Sequence, residues 1–330
     1  MNSRAIGIVS TGMYVPSQVV TNDDLARYLD TSDEWIQEKV GVKERRRAAA
    51  GESTSDLAVA AGLQALDKLS IMPSDLDLIV VATSSPDMIQ PPTASIVQGK
   101  LGACNAAAFD VGAVCAGSVF ALDVAAGLML SHPDYRHVLV IGAETYSRIL
   151  DWDDRTTCVY FGDGAGAAVL SDVPQGRGLL HSVLGTDGLK WDAITLLGGG
   201  STYPASEDSV RNGLHKFRMR GKDIWTFATT TVPDAIERAL ARAALTADDL
   251  DFIIFHQANI NIIRENMGRL GLPMHKTHTC MDRYANTSGA SVLLALSDAI
   301  EQRKIRSGDL VALVGFGGGL SWGVSLWRWA

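Results

Sequence analysis

The sequence predicts an α/β protein, a five-layered α/β/α/β/α sandwich built from two pseudo-equivalent halves. Three observations support this fold class. The order of apolar segments in the first half recurs in the second, the short Val/Ile/Leu runs suit strands covered on both faces, and several helical patterns are rich in Ala and Gly. Small residues let a helix pack closely between two sheets. The halves are predicted to meet near residue 173, giving domains 1–173 and 174–330.

Each half has the order strand, helix, strand, helix, strand, and each is predicted to carry a mostly parallel sheet flanked by helices. A helical pattern over residues 57–69 precedes the apolar run that ends at Val81, and a second pattern over 235–244 precedes the run that ends at Phe255. Two later helices are predicted to stop at Gly102 and Gly271, because glycine favours the left-handed conformation that ends helices. Outside the repeat, residues 184–220 are rich in Gly, Ser and Thr and predict a long surface excursion, often a functional cover.

The composition is that of a globular enzyme, with 47% hydrophobic and 20% charged residues. The formal charge of −8 argues against a nucleic-acid or membrane-surface binder. No unbroken apolar run approaches the roughly 18 residues needed to cross a bilayer, and residues 1–16 lack a secretory pattern. Four cysteines without metal-ligand spacing or disulfide density predict no metal site and a cytoplasmic localisation.

Cys115 is the candidate nucleophile. It follows a β-like run and several small residues, and it precedes a helical pattern over residues 118–130. The thiol is therefore predicted at a helix N-terminus, where the dipole and the free N–H groups favour a thiolate. A lone cysteine is more often a buried small hydrophobe, so a catalytic interpretation needs partners.

His256 and Asn286 are the candidate partners. His256 closes the apolar run 252–255, and Asn286 opens the segment NTSGAS, so both are predicted where strands end. They belong to the second half and Cys115 to the first, which predicts a site between the halves. A core histidine or a turn-capping asparagine is the structural alternative for each residue alone, and the three together favour catalysis.

These segments resemble β-ketoacyl-acyl carrier protein synthase III, of the thiolase superfamily, over essentially the whole chain. Three further segments carry the resemblance: DTSDEWI at 30–36, FGDGAGA at 161–167 and FGGGLSWG at 316–323. The resemblance implies a thiolase-like fold, which the internal repeat predicts independently. It also implies a homodimer, and a dimer would cover the apolar strand predicted at 108–111.

The chemistry that the resemblance implies is a decarboxylating Claisen condensation of an acyl-CoA primer with malonyl-acyl carrier protein, which initiates fatty acid synthesis. Cys115 would accept the acyl group covalently, and the backbone N–H groups of Cys115 and Gly318 would stabilise the oxyanions. His256 and Asn286 would hydrogen-bond the malonyl thioester oxygen as carbon dioxide leaves. Asparagine donates without charge, which suits an enolate rather than proton abstraction. No cofactor is implied beyond acyl-CoA as substrate.

Substrate-binding residues follow from the same resemblance and are Trp35, Lys39, Arg155, Phe161, Met219, Trp225 and Asn259. Some positions depart from the family pattern. Lys39 stands where an arginine frames the adenine of CoA with Trp35, Asn261 replaces another arginine, and Gln90 replaces a phenylalanine that shapes the acyl pocket. Acetyl-CoA is the primer that the family implies. A longer, branched or unusual acyl group, in a specialised polyketide-type pathway, is the alternative.

An acidic carrier protein is the expected partner that delivers one substrate. Residues 211–222 contain five basic residues and no acid, and four of them alternate with Phe217, Met219 and Gly221. This alternation predicts a strand with one basic face. Lys222, with Arg264 and Arg269 on a later helix, is predicted to form the docking surface. The alternative is a solvated edge strand protected by charge.

Two other functions stay open from the sequence. One is a cysteine acyltransferase or thioesterase that never condenses, and the other is a non-catalytic acyl-thioester binding module. The combination of Cys115, His256 and Asn286 argues against the binding module. Incubation with acyl-CoA and a malonyl thioester, monitored for ketoacyl product and carbon dioxide, separates all three functions.

Overall fold

The computed structural model describes residues 4–330, so the first three residues of the predicted domain 1–173 lie outside the described part. The strands are β1 (Ile6–Tyr14), β2 (Gln18–Thr21), β3 (Glu44–Arg47), β4 (Leu78–Ala82), β5 (Ala107–Val111), β6 (Val138–Thr145), β7 (Asp163–Asp172), β8 (Gly178–Thr186), β9 (Ile194–Thr195), β10 (Arg218–Met219), β11 (Phe252–Phe255), β12 (Leu310–Gly317) and β13 (Ser321–Arg328). The helices are α1 (Asn22–Ala26), α2 (Asp33–Lys39), α3 (Thr54–Asp67), α4 (Thr93–Leu101), α5 (Gly117–Ser131), α6 (Glu207–Arg211), α7 (Gly221–Arg242), α8 (Ile260–Arg269), α9 (Met281–Tyr284) and α10 (Ser291–Glu301).

Two mixed sheets form the frame of the molecule. The N-terminal sheet has the strand order β1-β7-β6-β4-β5, and the C-terminal sheet has the order β11-β12-β13-β8. Parallel pairing joins β4 to β5 and β6, and β11 to β12, whereas the other pairings in these sheets are antiparallel. The expectation of mostly parallel sheets was therefore wrong. Apolar runs report burial on both faces, and a layered sandwich gives that burial to antiparallel strands as well.

The two sheets repeat one arrangement, in which β4, β6, β7 and β1 correspond to β11, β12, β13 and β8. Helices α5 and α10 lie between the sheets, α3 and α4 cover the outer face of the first sheet, and α7 and α8 cover that of the second. The five-layered α/β/α/β/α sandwich is thus confirmed. The boundary between residues 173 and 174 stays a prediction.

The central helix α5 shows why small residues were needed. Its side chains Ala121, Ala125 and Ala126 are fully buried between the sheets. At Gly117 an added Cβ would lie 3.0 Å from the Cβ of Ala82 in β4, closer than methyl groups pack. Residues 114–131 are long and apolar enough to cross a membrane, but 56% of this segment is buried inside the protein, as in a core helix.

Residues 211–222 do not form the predicted strand. Arg211 ends α6, β10 contains only Arg218 and Met219, and Gly221 begins α7. The alternation fails because the basic residues do not share one solvent face. Arg220 instead forms ion pairs with Asp192 at 2.8 Å and with Asp223 at 2.6 Å.

Candidate active site

The Cys115 thiol lies at a sharp turn between β5 and α5. Val114 has φ of +46°, a left-handed conformation that is unusual for a β-branched residue, and a 3₁₀ turn from Val114 to Ala116 then leads into α5. The predicted placement at a helix start is therefore observed. Cys115 lines a cavity of about 790 Å³ that opens to solvent and is also lined by His256 and Asn286. The structure brings the three predicted residues together.

Backbone donors surround the sulfur of Cys115. The N–H groups of Cys115 and Gly318 hydrogen-bond it and oppose a rise of its pKa. Residue 317, just before Gly318, must be a glycine, because a Cβ there would lie 2.6 Å from the Cβ and 2.9 Å from the Sγ of Cys115. The two predicted oxyanion donors thus lie beside the nucleophile.

The resting thiol is protonated. Burial raises the pKa of Cys115 to about 12, and the negative charge of Glu144 adds to the rise. The helix N-terminus was expected to favour a thiolate, and that expectation was wrong, because burial of the sulfur outweighs the donors around it. The hydroxyl of Ser288 lies 3.4 Å from Sγ, within hydrogen-bond reach of the thiol.

His256 is fixed at the end of β11. Its backbone N–H donates to the Val314 carbonyl at 2.7 Å, and its Nδ1 lies 2.5 Å from the hydroxyl of Ser291. That hydroxyl also accepts from the Gln257 N–H at 3.3 Å and keeps its own proton available to donate to Nδ1. The tautomer that accepts this bond at Nδ1 carries its ring proton on Nε2. Burial lowers the pKa of His256 to about 3, so the ring is neutral.

Asn286 is oriented by its own turn. Its Oδ1 accepts the Ser288 N–H at 2.8 Å, which leaves Nδ2 as the donor. The backbone is held on both sides, since the Asn286 N–H donates to the Tyr160 carbonyl at 2.9 Å and the Asn286 carbonyl accepts from the Gly162 N–H at 3.0 Å. Two neutral donors, the His256 ring and the Asn286 amide, therefore line the same cavity.

Aromatic rings form one wall of the cavity beside Cys115. Tyr146 stacks on Phe161 with 4.8 Å between ring centroids, and Phe217 meets both rings edge-on. Four of the predicted substrate-binding residues line the cavity: Phe161, Met219, Trp225 and Asn259.

Asn259 has a second task in the fold. Its Oδ1 accepts the Asn261 N–H at 2.8 Å as the N-cap of α8, and its Nδ2 donates to the Lys39 carbonyl at 2.8 Å. Because both amide atoms are engaged in this way, the side chain ties α8 to the end of α2.

The other three predicted substrate-binding residues lie outside the cavity lining. The guanidinium of Arg155 lies over the indole of Trp35, 5.2 Å from the ring centroid. The ammonium of Lys39 instead pairs with Glu38 at 2.6 Å. Arg155 therefore reaches the indole from another part of the chain, and the binding of CoA by Lys39 stays a prediction. The Asn261 side chain donates to backbone carbonyls of α2 and so helps to hold α8 against α2.

The predicted docking residues differ in how free their charges are. Lys222 and Arg264 are exposed and form no ion pair within residues 4–330, whereas Arg269 pairs with Glu265 at 3.0 Å. In the segment before Lys222, acids neutralise Arg211 and Lys216 at 3.2 and 2.7 Å. The basic surface is thus smaller than the sequence suggested.

Sequence reasoning missed four polar groups near the thiol: Glu144, Tyr146, Ser288 and Ser291. The two serines belong to the NTSGAS segment, and their hydroxyls could have been noticed there. Glu144 is the lone acid in the apolar run of β6, a signal of a special environment. Across residues 4–330, no group of three or more His, Cys, Asp or Glu side chains is placed to hold a metal.

Comparison with known proteins gives consistent matches along the chain. The family model 3-oxoacyl-[acyl-carrier-protein (ACP)] synthase III matches residues 109–188, and its C-terminal model matches residues 240–329. A beta-ketoacyl-[acyl-carrier-protein] synthase III from Caldanaerobacter subterraneus subsp. tengcongensis is 46% identical, covering 99% of this chain and 98% of the relative.

Solved structures give the same result. The beta-ketoacyl-[acyl carrier protein] synthase III of Thermus thermophilus is 40% identical with a TM-score of 0.90, covering 98% of this chain and 99% of that one. The priming beta-ketosynthase of the R1128 polyketide pathway is 33% identical with a TM-score of 0.91, covering 99% of this chain and 97% of that one.

Proposed function

The chain belongs to the 3-oxoacyl-[acyl-carrier-protein] synthase III family, and from that premise we propose how its residues divide the reaction. The protein is an acyltransferase-type condensing enzyme that initiates fatty acid synthesis. One observation supports the division most strongly: a thiol from the first half and two neutral donors from the second line one cavity.

Cys115 performs the first step. Its sulfur attacks the acyl-CoA carbonyl, the acyl group moves to Cys115, and CoA leaves. Negative charge develops on the carbonyl oxygen, and the backbone N–H groups of Cys115 and Gly318, already aimed at the sulfur, stabilise it. A donor of this kind contributes about 2.7–4 kcal/mol.

His256 and Asn286 serve the second step. They donate to the malonyl thioester oxygen while carbon dioxide leaves, which stabilises the enolate. The neutral state of His256 supports this assignment, because a ring with a proton on Nε2 can donate without first taking a proton. The enolate carbon then attacks the acyl thioester, and Cys115 leaves as a thiolate.

The substrates are acyl-CoA and malonyl-acyl carrier protein, and no cofactor takes part. The acyl group would lie against the wall of Tyr146, Phe161 and Phe217, which favours a compact primer such as acetyl. Met219 and Trp225 would flank the pantetheine arm, and Trp35 with Arg155 would bind the adenine end. Gln90 is exposed and contributes nothing to the cavity of a single chain.

The enzyme is a homodimer of the cytoplasm. Strand β5 is the edge of the N-terminal sheet, with one free side that a second copy could cover. A reducing compartment keeps Cys115 available, and the described cysteines are free. Light scattering at micromolar concentration tests the dimer, which a fully active monomer would contradict.

One incubation tests the reaction. Wild-type protein receives acyl-CoA and malonyl-acyl carrier protein, and ketoacyl product and carbon dioxide are measured together. We expect equal amounts of both products, and none of the ketoacyl product from Cys115→Ala. The matched control is Cys104→Ala, which removes an exposed thiol and should act like wild type. Acyl-CoA hydrolysis without ketoacyl product would indicate a thioesterase instead.

A further inference from the structure

Glu144 is a buried carboxyl that takes no part in the proposed condensation steps. It lies near the end of β6 and is fully buried. Its partners are hydroxyl groups, with the Ser84 Oγ at 2.8 Å and the Ser85 Oγ at 2.5 Å, and backbone N–H groups of Ser84 and Gly289 at 3.1 and 3.2 Å. No Lys, Arg or His within residues 4–330 pairs with it. A buried carboxylate without a cation is costly, so its presence beside a nucleophile calls for a function.

Hydroxyl groups connect Glu144 to the nucleophile. The Ser84 Oγ lies 2.8 Å from Glu144 and 3.1 Å from the Tyr146 hydroxyl. The Tyr146 hydroxyl in turn interacts with the hydroxyl of Ser288, and the Ser288 Oγ lies 3.4 Å from the Cys115 Sγ. Each of these three hydroxyls can donate one proton and accept another, so the series can pass a proton in either direction.

The surroundings leave few other titratable groups. The backbone of Gly289 approaches Glu144 so closely that a side chain would not fit, since a Cβ there would lie 2.9 Å from the Glu144 Oε1. His256, which lines the cavity with Cys115, is neutral. Burial raises the pKa of both Cys115 and Glu144, and the negative charge of Glu144 adds to the rise at Cys115. A carboxylate at Glu144 therefore opposes ionisation of the thiol, and protonation of Glu144 removes that opposition.

We infer that Cys115 and Glu144 share one proton, which moves along Ser288, Tyr146 and Ser84 in each turnover. The inference rests on the proposed acylation of Cys115 and adds Glu144 as its proton store. In acylation the S–H bond breaks, the sulfur forms a bond to the acyl carbon, and the thiol proton reaches the Glu144 carboxylate. The bond to the CoA sulfur breaks, and CoA takes a proton from solvent.

The proton returns in the second half of the cycle. Carbon dioxide leaves the malonyl group, the enolate electron pair forms the new carbon–carbon bond, and the bond between acyl carbon and the Cys115 sulfur breaks. The departing thiolate takes back the proton from Glu144 through the same hydroxyls. Each turnover thus consumes one solvent proton, carried away on CoA, and restores both groups.

The pH dependence of Cys115 acylation tests the shared proton. Acyl-enzyme formation is followed by rapid-quench intact mass over about pH 6–9 in wild type, Glu144→Gln and Tyr146→Phe. The acylation rate of wild type should reach a plateau with pH, because Glu144 replaces hydroxide as the acceptor of the thiol proton. Each variant should lose about 10²-fold at neutral pH, and its rate should rise about tenfold per pH unit because the thiol must ionise into solvent.

A matched control separates this effect from the loss of a buried phenol. Tyr284→Phe removes another buried tyrosine hydroxyl, one that accepts a hydrogen bond from Arg283 outside the site, and it should keep the plateau. If Glu144 only repelled the thiolate, Glu144→Gln would acylate faster than wild type. That result, or an unchanged plateau in Tyr146→Phe, overturns the inference. An adduct that persists in Cys115→Ala would instead overturn the proposed function.

Discussion

The same local turn occurs once in each half of the molecule, with different chemistry. In the first half, Val114 at φ +46° begins a 3₁₀ turn that leads into α5, and in the second half, Ser288 at φ +45° begins one that leads into α10. The first turn presents the Cys115 thiol. The second presents hydroxyls and backbone groups, among them Ser291 beside His256. The geometry thus occurs twice with different side chains placed on it, and in the proposed reaction that difference assigns one step to each half.

Removing the thiol should produce the largest effect, and it should abolish only the step assigned to the first half. Cys115→Ala should form no acyl adduct with acyl-CoA, since the other described cysteines lie outside the cavity lining. Malonyl decarboxylation should persist, because its donors belong to the second half. Intact mass and carbon dioxide release measure the two outcomes. Loss of both activities in a folded variant would show that the halves do not act separately.

Removing the second-half donors should give the reverse pattern. His256→Ala and Asn286→Ala should still acylate at Cys115 but decarboxylate the malonyl group about 10²-fold more slowly, since each lacks one donor to a developing oxyanion. Carbon dioxide release under saturating malonyl-carrier protein measures the loss. A variant that decarboxylates normally and fails to acylate would contradict the assignment.

The sequence predicted much of this arrangement. The repeated apolar runs predicted two sheets and five layers, because burial on both faces leaves a clear pattern. The sequence did not predict the strand directions, the loss of the strand at 211–222 or the protonated state of Cys115. These features depend on strand pairing, ion pairs and burial, which involve residues distant in the chain. Cys115, His256 and Asn286 lie in recognisable segments and do line one cavity. Tyr146 could not be predicted, because its contact with Ser288 exists only once the halves pack together.

A methyl group at Gly289 should disturb both turns. Its Cβ would lie 2.9 Å from the Glu144 Oε1 and 3.0 Å from the Val114 carbonyl oxygen. Such overpacking costs about 1–3 kcal/mol in the free energy of unfolding, and we expect Gly289→Ala to slow acylation and decarboxylation together. Urea unfolding and the two activity assays measure this. Gly99→Ala is the control, because its Cβ would meet open space on α4. Its free energy of unfolding should rise by about 0.5–1 kcal/mol. Full activity in Gly289→Ala would show that the turns are independent.

Loss of the Ser291 hydroxyl should have a smaller effect, confined to the second half. Without this partner at Nδ1, His256 can adopt the other tautomer and lose its donor at Nε2. A hydrogen bond of this kind contributes about 1 kcal/mol, so Ser291→Ala should slow decarboxylation by about fivefold. Acylation of Cys115 should stay unchanged. Ser291→Thr, which retains the hydroxyl, should recover the rate; an equally slow Thr variant would contradict the tautomer argument.

The smallest expected effect concerns delivery of the carrier protein to the second step. Arg264→Glu should raise the apparent KM for malonyl-carrier protein several-fold, flatten its salt dependence and leave acyl-CoA loading unchanged. Arg269→Glu should change less, because Glu265 already neutralises Arg269. Arg238→Glu, an exposed position about 24 Å along α7 from Lys222, is the control. Equal effects on both substrates, or none, would reject the docking surface.

The central claim is that the first half holds the acyl group while the second half makes the carbanion that removes it. Single-turnover discharge of the acyl-enzyme tests this directly. Wild type and Asn286→Ala are acylated at Cys115, freed of CoA and mixed with malonyl-carrier protein, and intact mass follows the adduct. We predict that wild type loses its adduct as ketoacyl product appears, whereas Asn286→Ala keeps the adduct about 10²-fold longer. Equal discharge of the two proteins would contradict the account.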